Sequence, residues 1–133
     1  MPDTYVYLGK EVPKTFFKEI KSLDLLEPGE RIQYFYSDAF MDIKEGMFMV
    51  TDRHFIAYST QWEDPKTIID FEDIVEITAN FNEAFLEDSF IKVTTLDGFW
   101  VEFPVSSEKG RDKAFHRYLE DQSPNLKDKE KEE

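Results

Sequence analysis

Apolar and polar residues alternate in short stretches through the middle of the chain and change to a helical spacing near both ends. Towards the N-terminus, Phe16, Ile20 and Leu23 fall at i, i+4 and i+7, with Phe17 widening the stripe. Pro13 suits the first helical position, where its missing N–H costs nothing. Pro28-Gly29 then stops the helix and turns the chain. A helix of about 11 residues is marginal alone in water, so this one needs a surface to pack on.

Residues 30–105 read almost wholly as strands. Ile32, Tyr34 and Tyr36 alternate with Gln33, Phe35 and Ser37. Met47–Val50 and Phe55–Tyr58 flank a Thr51-Asp52-Arg53 turn, and 67–71 and 74–77 are separated by Glu72-Asp73. The clearest hairpin joins 90–96 to 99–105 through Asp97-Gly98, a two-residue turn suited to positive φ. Across it Ile91, Val93 and Thr95 face one way, while Phe99, Val101 and Phe103 alternate with Trp100 and Glu102. A last helix is expected over 106–121, with Ser106-Ser107 as N-cap, Glu108 in the first turn and a stripe of Ala114, Phe115, Tyr118 and Leu119. Gly110 would weaken its first turns by up to ~1 kcal/mol relative to Ala. The pattern as a whole predicts a mainly β, α+β fold: a small barrel of about seven antiparallel strands closed by a C-terminal helix, with an extra N-terminal helix. The expected division is a helical extension over 1–26 packed on the domain, the domain itself over 27–121, and a charged, solvated tail over 122–133.

Composition narrows the function classes. A chain of 133 residues with 41% hydrophobic residues and 13 Phe can build one real core. The absence of cysteine excludes a disulfide framework, a thiolate metal site and a cysteine nucleophile. No apolar run approaches the ~20 residues that cross a bilayer, and Met1-Pro2-Asp3-Thr4-Tyr5 lacks the basic and apolar parts of a signal peptide, so a cytoplasmic location is expected. The net charge is −13. Residues 120–133 hold six acids against three lysines, which leaves −10 on residues 1–119. Such a surface repels phosphate backbones and anionic headgroups, so neither nucleic acid nor strong anionic-lipid binding is expected.

Candidate chemistry is sparse. The two histidines, His54 beside Arg53 and His116 beside the terminal apolar stripe, read as boundary or surface residues. No G-x-S-x-G nucleophile turn, no calcium-loop pattern and no glycine-rich phosphate loop is present. The pairs Glu63-Asp64, Glu72-Asp73 and Glu87-Asp88 are what 29 acids in 133 residues give by chance. No catalytic residue, metal ligand or cofactor is therefore assigned, and the chain is not expected to be an enzyme.

Several segments resemble bacterial pleckstrin-homology-like and GRAM-like domains. Glu27-Pro28-Gly29-Glu30-Arg31-Ile32 is similar to the L-x-P-G-E-x-I lead-in to their first strand. Residues 46–58, GMFMVTDRHFIAY, resemble their second hairpin, and residues 69–77, IDFEDIVEI, resemble their I-P-L-E-D-I-x-x-I segment. Thr94-Thr95-Leu96-Asp97-Gly98 and the stripe from Phe115 to Leu119 complete a likeness spanning 27–120. The resemblance implies the fold, and as an alternative function a peripheral membrane or lipid-binding domain. Two departures bear on that function. Residues 37–45, where lipid-binding members cluster Lys and Arg, hold three acids and one Lys, and His54 stands where the family pattern favours Arg.

Apolar residues in expected loops remain. Phe40 and Met41 follow the first strand of the domain, Trp62 lies between strands, and Phe81, Phe85 and Leu86 lie in a segment too long for a hairpin turn. They either fold back to plug the core or form a patch that meets a partner. The functional expectation is a non-enzymatic interaction module that binds a protein, or itself as a homo-oligomer, through these six residues or through a sheet edge.

Overall fold

The structure is a computed structural model that describes residues 5–37, 43–80, 88–106 and 110–125. Two antiparallel sheets, of five and three strands, are accompanied by an N-terminal and a C-terminal helix, which is the mainly β, α+β fold expected. The chain divides into two compact units, residues 1–68 and 69–133.

The first unit contains β1 (Tyr5–Leu8), α1 (Lys14–Ser22), β2 (Ile32–Ser37), β3 (Met47–Thr51) and β4 (His54–Tyr58), and β5 (Lys66–Asp70) leads out of it. The sheet order is β1-β2-β3-β4-β5. The strand β1 is an addition to the sequence reading: Val6 lies opposite Tyr36 and Tyr7 opposite Phe35. The helix starts one residue after Pro13, whose carbonyl accepts the Phe17 N–H at 3.0 Å. It ends with Asp24 in the left-handed region at φ 59°, and the Leu25 N–H returns to the Ile20 carbonyl at 3.4 Å, a helix stop that normally takes glycine. That return drives Leu25 into the core.

The strands β2–β4 are buried on both faces. One face carries Ile32, Phe35, Met47, Met49 and Ile56, which cluster with Ile20 and Leu25, while Tyr34, Tyr36, Phe48, Val50, Phe55 and Ala57 are buried on the other. Strands of this kind read as apolar runs rather than strict alternation, as Met47-Phe48-Met49-Val50 does. Of the helical stripe, Ile20 is fully buried and Phe16 packs on the cluster, whereas Phe17 lies exposed. Between β1 and α1 the chain makes a single 3-10 turn over Gly9–Glu11. A β carbon at Gly9 would lie 2.1 Å from the Ile32 carbonyl oxygen, a clash with backbone that no rotamer relieves. Gly9→Ala is therefore expected to cost about 1–3 kcal/mol, read as a lower denaturant midpoint, with β1 pried from β2.

The second unit holds β6 (Ile74–Asn80), β7 (Asp88–Thr95), β8 (Trp100–Ser106) and α2 (Arg111–Gln122). Its inner face is Ile74, Ile91, Val93, Phe103 and Val105, against which α2 lays Phe115 and Leu119; the Phe103 and Phe115 rings meet edge-on at 5.4 Å. Ser89 and Asn125 fasten the helix to the strands and the turn before them, and Ser123 closes its C-terminal end. The Ser89 hydroxyl donates to Asp112 Oδ2 at 2.6 Å, both groups being buried. The Ser123 hydroxyl donates to the Leu119 carbonyl, and the Asn125 amide donates to the Glu72 and Ile74 carbonyls at 2.9 and 3.0 Å. Ser106 ends β8 and the α-helix begins after Gly110, while the rest of the expected cap, Ser107 and Glu108, lies outside the described residues. Gly110 is itself the N-cap at φ 73°, so it makes the turn into the helix rather than weakening its interior.

Candidate functional site

The β7–β8 hairpin concentrates exposed apolar surface. Its turn is not the two-residue type: the Thr95 N–H donates to the Phe99 carbonyl at 2.8 Å and the Gly98 N–H to the Thr95 carbonyl at 3.0 Å, which closes a three-residue loop with Gly98 at φ 90°. Asp97 braces this loop by accepting from the Thr95 hydroxyl and the Phe99 N–H, and these bonds hold its exposed carboxyl below the usual range. The three-residue loop sets Phe99 opposite Thr95, on the side of Val101 and Phe103, but at the end of the ladder, where it is half exposed. Leu96 is 67% exposed, Trp100 55% and Phe90 44%.

Register explains why Phe90 and Trp100 share the outward face, with Leu96 and Phe99 at the tip beyond its end. Phe90 lies opposite Pro104, Lys92 opposite Glu102 and Thr94 opposite Trp100, while Asn80, Thr78 and Glu76 flank them from β6. Ile91, Val93, Phe103 and Val105 alternate to the buried side. The Lys92 ammonium stands 4.6 Å from the centre of the Trp100 ring, over its face. Around this surface Glu76 and Glu102 on the sheet and Asp73 and Asp97 at the tip are all exposed acids, with Asp73 brought close by its carbonyl accepting the Leu96 N–H. The arrangement can anchor a partner: a large rigid aromatic surface already standing in solvent loses little entropy when covered.

A second cluster lies in the first unit, where two separate motifs meet. Glu30 of the P-G-E turn has a fully buried side chain and accepts three hydrogen bonds, from the Glu27 N–H at 2.9 Å, the Thr51 hydroxyl at 2.5 Å and His54 Nδ1 at 2.9 Å. A carboxylate only accepts, so the ring nitrogen facing it carries the hydrogen. Burial pushes the Glu30 carboxyl up, but the three bonds together outweigh it and hold the group below its ordinary value. Arg53 reaches Glu27 at 3.1 Å, and the Arg31 N–H and Asp52 Oδ1 pair at 2.9 Å, so the lead-in turn is fastened to the β3–β4 hairpin at several points. His54 is thus a boundary residue, as expected, whose ring also partners a buried carboxylate. The cluster lacks the order of a nucleophilic triad, since the Thr51 hydroxyl donates to the carboxylate and accepts the Arg53 and His54 N–H groups. An open cleft of about 510 Å³ nearby is lined by α1 and residues 24–31, and His54 is not among its walls. His116 pairs with Glu120 one helical turn on, at 3.1 Å. Among the described residues no group of three or more acids or histidines is placed to hold a metal, and no helix is long and apolar enough to cross a membrane.

No family model matches the chain, and no curated protein matches it in sequence. Among solved structures it is similar to a DUF1696 family protein with a pleckstrin-homology domain from Shewanella loihica PV-4, with a TM-score of 0.60 at 12% identity over 92% of this chain and 99% of that one. The fold is pleckstrin-homology-like. At that identity the likeness shows the fold alone, and the seven strands expected from the sequence are the β2–β8 of this structure.

Of the six partner-binding residues expected in this PH-like domain, Trp62 alone is described. It is half-buried, its ring 6.1 Å from that of the buried Phe48. Phe40, Met41, Phe81, Phe85 and Leu86 lie outside the described residues. Sequence alternation separates Phe99 from Trp100 but does not show that the hairpin tip stands in solvent. The clue was the adjacency of Phe99 and Trp100, since neighbours on a strand cannot both point inward.

Proposed function

We propose that the chain is a non-enzymatic, cytoplasmic interaction module that holds a protein partner against the β7–β8 hairpin. The observation that carries this reading is the gathering of Phe90, Leu96, Phe99 and Trp100, four large exposed apolar residues, on one hairpin. Single exposed apolar residues are ordinary on any protein, whereas several on one hairpin, three of them at its tip, support a contact surface. A catalytic role finds no support in the Glu30 cluster, whose hydroxyl and carboxylate are both committed to holding the backbone.

Membrane insertion of the same tip is opposed by charge. The chain carries −13, and an anionic headgroup layer repels it before Phe99 or Trp100 could reach the hydrocarbon. Affinity capture from native cell extract, run beside flotation with neutral and anionic vesicles, separates the two. The expected result is a protein retained by the wild type and lost with Trp100→Ala, without vesicle binding. Tight flotation with anionic vesicles at physiological salt, or a captured set that Trp100→Ala leaves unchanged, would overturn the reading.

A further inference from the structure

We infer that the partner segment seated on the β7–β8 hairpin is cationic, carrying Lys or Arg beside apolar anchors; this rests on the hairpin being the docking surface. The apolar tip is framed by carboxylates: Asp73 and Asp97 beside Leu96 and Phe99, Glu76 and Glu102 beside Trp100. Lys92 is the single base on that outward face among the described residues of β6, β7 and β8. Its ammonium lies over the Trp100 ring, which shows that the ring's position and surroundings suit a cation. An incoming guanidinium has the same attraction to the indole face and adds planar hydrogen bonds to Glu102 or Glu76.

The charge of the whole chain acts in the same direction. A field from −13 draws a basic segment inward, raises its encounter rate and repels an acidic one. It also disfavours a second copy of this chain, which brings an equal charge to the same face. The apolar residues supply the anchor and the carboxylate frame supplies the selection, so neither alone accounts for the specificity.

The test uses three short fluorescent peptides, alternating Leu-Arg, Leu-Gln and Leu-Glu, titrated at physiological salt against the full chain and three variants. The wild type should bind Leu-Arg at least about tenfold more tightly than Leu-Gln, with Leu-Glu weaker still. Trp100→Ala should abolish binding of both Leu-Arg and Leu-Gln, and Glu102→Lys should shrink the Leu-Arg preference while sparing Leu-Gln. Lys92→Gln, which removes the resident cation and leaves the ring, should tighten Leu-Arg binding about two- to fivefold. All four chains should melt cooperatively, because each altered side chain stands at the surface. If the peptides bind equally and Trp100→Ala still abolishes binding, the hairpin remains a docking surface and the cationic preference is overturned. If Leu-Arg binding survives Trp100→Ala, or no peptide binds, both the preference and the docking surface are overturned.

Discussion

Phe35→Ala is expected to lower stability by about 3–5 kcal/mol, the largest loss from any single side chain discussed for the first unit. Phe35 is fully buried in β2, and its ring centre lies 6.2 Å from that of Tyr7 in β1 and 5.8 Å from that of Phe16 in α1. One side chain therefore joins the sheet to the helix and strand that precede it in sequence. Removing the ring forfeits its transfer energy and leaves a cavity that β2, held on both sides by β1 and β3, cannot collapse to fill. Denaturant unfolding followed by circular dichroism checks this. Phe90→Ala is the matched control, since that ring is exposed and should change the midpoint by no more than about 0.5 kcal/mol. Equal losses for the two variants would contradict the packing described here.

The second large effect is expected at Glu30. Glu30→Ala leaves the Glu27 N–H, the Thr51 hydroxyl and the His54 ring N–H without their acceptor, at an expected cost of about 3 kcal/mol. Glu30→Gln keeps the shape and one acceptor and should cost about half as much. The pH dependence has a definite sign. The carboxyl is held below its ordinary value of 4.5 in the folded chain, so its contribution is complete above about pH 4.5 and is lost as the pH falls through the lower folded value. Unfolding midpoints measured from neutral pH downward should therefore fall more steeply below pH 4.5 in the wild type than in Glu30→Gln. Parallel acid limbs would show that Glu30 is not the anchor of this cluster.

The sequence made β2–β8 legible because turn residues punctuate them and their apolar positions repeat at strand or near-strand spacing. β1 was less so: Tyr5-Val6-Tyr7-Leu8 is only four residues, and its partner β2 lies beyond an intervening helix, so no local period reveals the pairing. The α-helix starts a few residues after the serine pair, because Gly110 in the left-handed region is its N-cap. The Glu30 cluster was hidden for a different reason. Glu30 and His54 are far apart in sequence, and only the antiparallel return of β3 into β4 brings the histidine ring to the lead-in turn. The hairpin tip turned on one residue. A three-residue loop in place of a two-residue one ends the ladder at Thr95 and Phe99, so Phe99 keeps its alternation with Val101 and Phe103 but has no strand beyond it to cover it, and with Leu96 and Trp100 it is surface.

The most direct measurement is site-specific photo-crosslinking in the native cell, with a photoreactive phenylalanine analogue placed at Trp100 and, in a parallel strain, at the exposed Lys18 of α1. The expected result is a discrete protein adduct from position 100 that is absent from position 18. Adducts at both positions alike, or lipid adducts alone at position 100, would contradict the assignment of the β7–β8 hairpin as the surface that meets a protein partner.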